Sequence, residues 1–257
     1  MRALVTGAGR RLGRAMALEL ARQGYDVAVH YASSASDAEE TAREIRALGR
    51  QAEVLQADLL DEARARMLLP EASEALGGPV TCLINNASVF EHDRLETATR
   101  ESWDRHLNSN LRAPFVLMQA MAAQDIPQPE AEGEPRAWGL VVNMIDQRVR
   151  KLTPEFMSYT LAKSALWTLT QTAAQALAPR IRVNAIGPGP TLPGLRQSAE
   201  QFSRQRRATI LQRGADTGDV TAALSYLLSA MAVTGQMICV DGGQHLGWQT
   251  PDSDGLE

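Results

Sequence analysis

Short apolar runs alternate with amphipathic stretches from one end of the chain to the other. Residues 2–5, 26–30, 52–57, 79–84, 138–144, 181–186 and 235–240 are compact apolar runs of the length of buried strands. Between them, 12–23, 36–48, 61–77, 99–122, 155–178, 197–211 and 217–229 carry helical periodicity. In the first of these, Leu12, Ala15, Leu18, Leu20 and Ala21 form an apolar face, and Gly24 supplies a stop. Regular strand–helix alternation predicts one α/β domain over 1–257: a doubly wound, Rossmann-type parallel sheet with helices on both faces. No internal repeat or linker interrupts it. The Pro- and Glu-rich segment 123–136 is expected to be a solvated surface loop, and the polar stretch 249–257 a frayed end.

Composition narrows the class. The 257 residues are 44% apolar and 22% charged, with a net charge of −4. That is globular, and it lacks the basic excess of a nucleic-acid binder. No run approaches the length of a membrane span, and residues 1–6 enter a strand directly, without a secretory h-region. Cys82 and Cys239 each lie in an apolar run and are expected to be buried free thiols in a reducing compartment. A cytoplasmic location follows. His92, His106 and His245 have no metal-ligand spacing and are expected to be surface or satisfied histidines, so no metal site is expected. Only Lys151 and Lys163 are lysines in an arginine-rich chain.

Gly7, Gly9 and Gly13, with Arg10, Arg11 and Leu12 between them, follow the first strand and open the first helix. Glycine there lets backbone N–H groups approach a pyrophosphate at a helix N-terminus. The second strand ends Tyr31-Ala32-Ser33-Ser34, with no acid to bond a ribose 2′-hydroxyl. Arg10 with Ser33 and Ser34 can instead meet a 2′-phosphate, which favours NADPH over NADH. Tyr159 and Lys163 stand four apart in a predicted helix, on one face. An ammonium beside a phenol is expected to lower its pKa and fit it for proton transfer.

With these motifs in place, the sequence resembles the short-chain dehydrogenase/reductase family along nearly its whole length. The match also takes in Asp58-Leu59, Asn85-Asn86-Ala87, Asn110, Asn184, Pro188-Gly189 and Asp241-Gly242-Gly243. The resemblance implies that Asp58 bonds adenine and that Asn86, with Ala87 beside it, lines the nicotinamide ribose. Thr191 then approaches the nicotinamide, Tyr159 donates a proton, Lys163 assists it and Asn110 holds a relay water.

Two departures sharpen the picture. Arg11 stands where the family usually has glycine, and Asp146 where it usually has a catalytic serine. A carboxylate repels the oxygen that turns negative in ketone reduction, but suits a C=N bond whose nitrogen gains a proton. A carboxyl beside Tyr159 can also hold a proton if its pKa is raised. Both departures, with Ser88 and Phe90, resemble the pteridine reductase branch. There, the resemblance implies, Phe90 stacks a pterin ring, Ser88 and Arg11 contact it, and Asp146 with Tyr159 relays the proton. The related dihydromonapterin and dihydrofolate reductases fit equally. That branch often has His-Arg-Ser where this chain has Ala32-Ser33-Ser34, which removes one arginine from the 2′-phosphate site.

The expectation is an NADPH-dependent reductase of a pterin-like heterocycle. A general carbonyl or 3-oxoacyl reductase is the alternative, and a non-catalytic nucleotide-sensing protein the remote one, disfavoured by the presence of both Tyr159 and Lys163. Residues 190–212 are expected to form a mobile lid, from which Gln197, Gln201, Arg204 and Arg206 can reach a substrate tail. The family commonly forms tetramers through its two long helices. Leu161, Ala165, Leu166, Trp167 and Leu169 put apolar groups on more than one side of the second, so a homotetramer is expected.

Overall fold

A computed structural model of the chain describes residues 1–194 and 197–248. Seven strands form one parallel sheet: β1 (Arg2–Val5), β2 (Asp26–Tyr31), β3 (Ala52–Gln56), β4 (Cys82–Asn85), β7 (Gly139–Met144), β8 (Ile181–Pro188) and β9 (Met237–Val240). Their order across the sheet is β3-β2-β1-β4-β7-β8-β9, so the topology reverses between β1 and β4. Ligands of open parallel sheets bind at such a reversal, beyond the carboxyl ends of the strands.

Successive strand residues face opposite sides, and both sides are buried. Ala3, Val5, Ile84 and Val142 point into one core with Met16 and Leu20 of α1 (Arg11–Arg22) and Leu224 of α8 (Thr217–Ser229). Leu4, Leu83, Val141 and Val183 point into the other. There they meet Leu68 of α3 (Glu62–Ala75) and Leu117 of α5 (Ala113–Ala122). Helices α2 (Ala35–Ala47), α4 (Arg100–Leu107), α6 (Met157–Leu177) and α7 (Ala199–Arg207) complete the set.

Three expectations are corrected. The helix predicted over 99–122 is broken: a π-helical turn over Asn108–Arg112 separates α4 from α5. Pro114 has no N–H to give the Asn110 carbonyl four residues back, so a regular α ladder cannot pass this point. The loop over 123–136 contains a small antiparallel hairpin, β5 (Glu130–Ala131) with β6 (Glu134–Pro135). Cys82 is buried, but Cys239, near the sheet edge, is only half-buried. The predicted frayed stretch, 249–257, lies outside the described residues. Among the described residues no helix is long and apolar enough to cross a membrane, and no cluster of side chains could hold a metal ion.

Candidate active site

A cleft of about 460 Å³ opens at the carboxyl ends of β1, β2, β4 and β8. Gly7, Arg10, Arg11, Leu12, Gly13, Tyr31, Ser33, Ser34, Asn86, Ala87, Ser88, Gly189 and Thr191 all line it. Four proposed cofactor residues are not on its wall. Gly9 packs toward Ala38 and Ser34 of the α2 start. Asp58 turns its carboxylate onto the Leu60 N–H at 2.9 Å. Leu59 lines a separate cavity of about 120 Å³, and Pro188 is the last residue of β8.

The glycine-rich loop is built by close approach. Gly7 sits at φ +64°, and a Cβ on Gly13 would stand 2.1 Å from the Gly7 carbonyl and 2.6 Å from Asn86 Nδ2. Any side chain at 13 would push the loop off β4. Asn86 Nδ2 donates to the Thr6 carbonyl at 2.8 Å, and the Thr6 hydroxyl accepts from the Asn86 and Ala87 N–H groups. A histidine that the sequence reading gave no role completes the cradle. His30 Nδ1 accepts from the Gly7 N–H at 3.0 Å while Nε2 meets the Ala57 carbonyl at 3.0 Å. Nδ1 must therefore be unprotonated, and burial holds the imidazole neutral, pushed down to about 4.

Arg10 and Arg11 both have protein partners. Arg10 ion-pairs with Asp37 at 2.5 Å, so one acid stands beside the expected 2′-phosphate position. Arg11 adopts φ +53°, a conformation glycine would take freely, and donates to the Pro193 carbonyl at 2.9 Å and the Leu192 carbonyl at 3.3 Å. The arginine thus ties the glycine loop to the first residues of the predicted lid.

The lid side chains hold the lid itself. Arg206 donates to the Pro190 and Ala215 carbonyls, Gln197 donates to Gln205, and Gln201 closes a capping box with Ser198 at the start of α7. Arg204 is exposed and lines none of the cleft.

At the end of β7 the chemistry gathers. Asp146 Oδ2 accepts from the Tyr159 hydroxyl at 3.1 Å, and Oδ1 accepts from the Arg148 N–H at 2.8 Å. Burial pushes the Asp146 carboxyl up, although its backbone contact with Arg148 opposes the shift. Burial, and then the neighbouring carboxylate, push the Tyr159 phenol well above its ordinary value. This corrects the expectation that Lys163 lowers it. Lys163 Nζ donates instead to the Met144 carbonyl at 2.7 Å, and burial pushes the ammonium down to about 8.

Phe90 lies over this dyad, its ring edge-on to Tyr159 at 4.7 Å and stacked at 4.3 Å on Phe156. Phe156, at φ +58°, starts α6 and carried no signal in the sequence beyond its nearness to Tyr159. Asn110 accepts from the Val89 N–H at 2.9 Å and donates to the Val89 carbonyl at 2.8 Å. Its side chain thus clamps the Phe90 loop. His106, fully buried, accepts from the Glu91 N–H and meets Ser158 Oγ at 2.7 Å, and Ser158 bonds Asp93. Like His92, which pairs with Glu155, and His245, which pairs with Asp241, it is satisfied.

A family model described as enoyl-(acyl carrier protein) reductase matches residues 7–245. The 3-oxoacyl-[acyl-carrier-protein] reductase FabG of Staphylococcus epidermidis is 32% identical over 249 residues, 95% of this chain and 98% of that protein. The crystal structure of FolM alternative dihydrofolate reductase 1 from Brucella suis, in complex with NADP, has a TM-score of 0.90 at 47% identity, covering 98% of this chain and 97% of that one. A short chain dehydrogenase from Burkholderia cenocepacia J2315, in complex with NADP, has a TM-score of 0.85 at 33% identity, covering 95% and 97%. A glycine cradle at the β1–β4 reversal and a Tyr–Lys pair on α6 thus coincide with full-length similarity in sequence and fold, and the chain belongs to the short-chain dehydrogenase/reductase family of oxidoreductases.

Proposed function

We propose that the chain reduces a planar, dihydropterin-type heterocycle at the expense of NADPH. The observation that carries this reading is the Asp146–Tyr159 hydrogen bond at 3.1 Å, at the position where ketone-reducing relatives use serine.

The residues fit the cofactor. A Cβ at Gly13 would fill the cradle against Gly7, so the bare main chain is open to a pyrophosphate. Arg10, Ser33 and Ser34 place a cation and two hydroxyls at the end of β2, the chemistry of a 2′-phosphate site. Thr191 and Asn86 line the same cleft. Bound reduced nicotinamide supplies a hydride to a ring carbon. The chain supplies the proton for the adjacent nitrogen. The Tyr159 hydroxyl proton lies on the hydrogen bond to Asp146, and burial favours the protonated form of the carboxyl. Ser88 lines the same cleft, and Phe90 offers an aromatic surface above the dyad. The 47% identity to a FolM dihydrofolate reductase supports the pterin class.

A 3-oxoacyl reductase is the second reading, favoured by the FabG relatives. NADPH oxidation with dihydromonapterin, dihydrobiopterin, dihydrofolate and 3-oxoacyl thioesters side by side separates the two. Turnover of the thioesters alone would overturn the pterin reading.

The half-exposed apolar groove between α5 and α6, lined by Phe115, Leu169 and Leu177, supports assembly of a homotetramer through these helices. Sedimentation as a monomer would overturn it. A cytoplasmic setting agrees with two free cysteines.

A further inference from the structure

We propose that His106 is a positioning residue for substrate binding: a neutral imidazole that pins the backbone beside Phe90 and so sets the ring on which a planar substrate stacks. This rests on the reading of Phe90 as the stacking surface for a dihydropterin-type ring.

Phe90 is 53% exposed, so its own packing holds it only weakly, and its backbone must do the rest. The N–H groups on both sides of it are bonded by buried side chains. The Val89 N–H donates to Asn110 at 2.9 Å, and the Glu91 N–H donates to His106 Nε2 at 3.0 Å. His106 and Asn110 are fully buried and stand four residues apart, on either side of the junction between α4 and the π-helical turn. The sequence reading gave His106 no role in the site.

The hydrogen-bond directions fix one protonation state. Nε2 accepts, so the neutral imidazole carries its proton on Nδ1 and donates it to Ser158 Oγ at 2.7 Å. The Ser158 hydroxyl then donates to the Asp93 carboxylate. Asp93 also accepts the Ser158 N–H at 3.2 Å, and its carbonyl accepts the Phe156 N–H at 2.8 Å. One network therefore ties the Phe90 loop to the start of α6, where Phe156 stacks on Phe90 and Tyr159 meets Asp146. A second proton on His106 turns Nε2 into a donor against the Glu91 N–H, and that tie is lost.

The groups around His106 are few. Glu91 and Asp93 of the loop favour the second proton, and Arg105 of α4 opposes it. Arg105 is itself paired with Glu91 at 3.0 Å. From α6 the Tyr159 ring faces the imidazole at 6.0 Å, and Lys163, the helix's one charged residue, is bonded to the Met144 carbonyl. The π-helical turn carries Arg112, paired with Glu62. Burial outweighs these neighbours and pushes the imidazole down, so the accepting form prevails at neutral pH.

The test uses the full-length protein, saturated with NADPH, with dihydromonapterin as substrate. Hydrogen exchange of the peptide spanning residues 88–93 is read by mass spectrometry. His106→Leu removes both bonds and keeps the space apolar. Exchange of that peptide is expected to quicken, and KM to rise, by about tenfold each. The same variant should change kcat by less than about threefold, because the interaction is made equally in ground and transition states. His106→Gln can accept from the Glu91 N–H without titrating. It is expected to bring KM at pH 7 back toward the wild-type value and to abolish the rise in KM that the wild type shows as pH falls below about 6.5. Added to Phe90→Ala, His106→Leu should raise KM no further, since both act through the same ring. If His106→Leu does not fold, exchange of the wild-type loop between about pH 7.5 and 5, corrected for intrinsic rates, takes its place, and protection should fall with pH. Unchanged exchange, an acid rise in KM that persists in His106→Gln, or a loss confined to kcat overturns the proposal. Faster exchange in a protein that turns over no dihydropterin supports the hold of His106 on the loop and overturns the pterin reading instead.

Discussion

Lys163 donates to the Met144 carbonyl at 2.7 Å and stands 5.8 Å from the centre of the Tyr159 ring. The ammonium is therefore buried at the floor of the site with one neutral partner. Its pKa, pushed down from 10.5 to about 8, means that the charge opposes folding below pH 8. The unfolded chain holds this proton up to its ordinary range, so stability should rise between about pH 8 and 10. Lys163→Met is expected to stabilise the fold at pH 7 by on the order of 2 kcal/mol while lowering turnover by about 10²-fold or more. Thermal unfolding and steady-state rates check both halves; a less stable variant would contradict the burial argument.

The Asp146–Tyr159 contact makes the identity of residue 146 decide the substrate class. Asp146→Ser is expected to lower dihydropterin turnover by about 10²-fold and to leave ketone turnover equal or higher. Competition assays on one preparation measure the ratio. Equal losses on both substrates would count against a proton relay through the carboxyl.

His30 binds Gly7 only while Nδ1 is bare. The folded imidazole titrates near 4 rather than 6.5, so the unfolded chain binds the proton first as pH falls. Stability is expected to drop by roughly 3 kcal/mol between pH 6.5 and 4. In His30→Gln that slope should flatten, and NADPH should bind about tenfold more weakly at pH 7 as the Gly7 N–H loses its anchor. Urea unfolding against pH and cofactor fluorescence titration are the measurements. An unchanged slope would show that other groups govern acid stability.

Asp37 competes for Arg10 at 2.5 Å across a pair whose arginine is largely exposed. Solvent-screened surface pairs of this kind contribute little to stability. Asp37→Asn is therefore expected to leave the melting temperature nearly unchanged. It frees Arg10 and removes a negative charge from the 2′-phosphate site, so the preference for NADPH over NADH should grow by about three- to tenfold. Comparing kcat/KM for the two cofactors tests this. A preference that fell would place the 2′-phosphate elsewhere.

Much of this site could be read from the sequence because its signals are local. Tyr159 and Lys163 share a helix face by spacing alone, and the loop from Gly7 to Gly13 follows a strand and opens a helix. What could not be read are contacts across long sequence separations. Arg11 bonds carbonyls more than 180 residues away, and His30 bonds Gly7 across 23. The same reason explains Gln197, Gln201 and Arg206: their hydrogen-bond partners are set by how α7 folds back on its own loop.

The sequence by itself determined the order of strands and helices, the two-faced burial of the sheet and the residue types available to the cleft, because hydrophobic period and glycine chemistry act over a few residues. Only the tertiary structure decided the ionisation of Asp146, Tyr159 and Lys163, the engagement of Arg10 and Arg11, and the place of Phe156 and Arg148 beside the dyad. A charge's state depends on how much water and which partners surround it, and those are supplied by segments that meet only when the chain has folded.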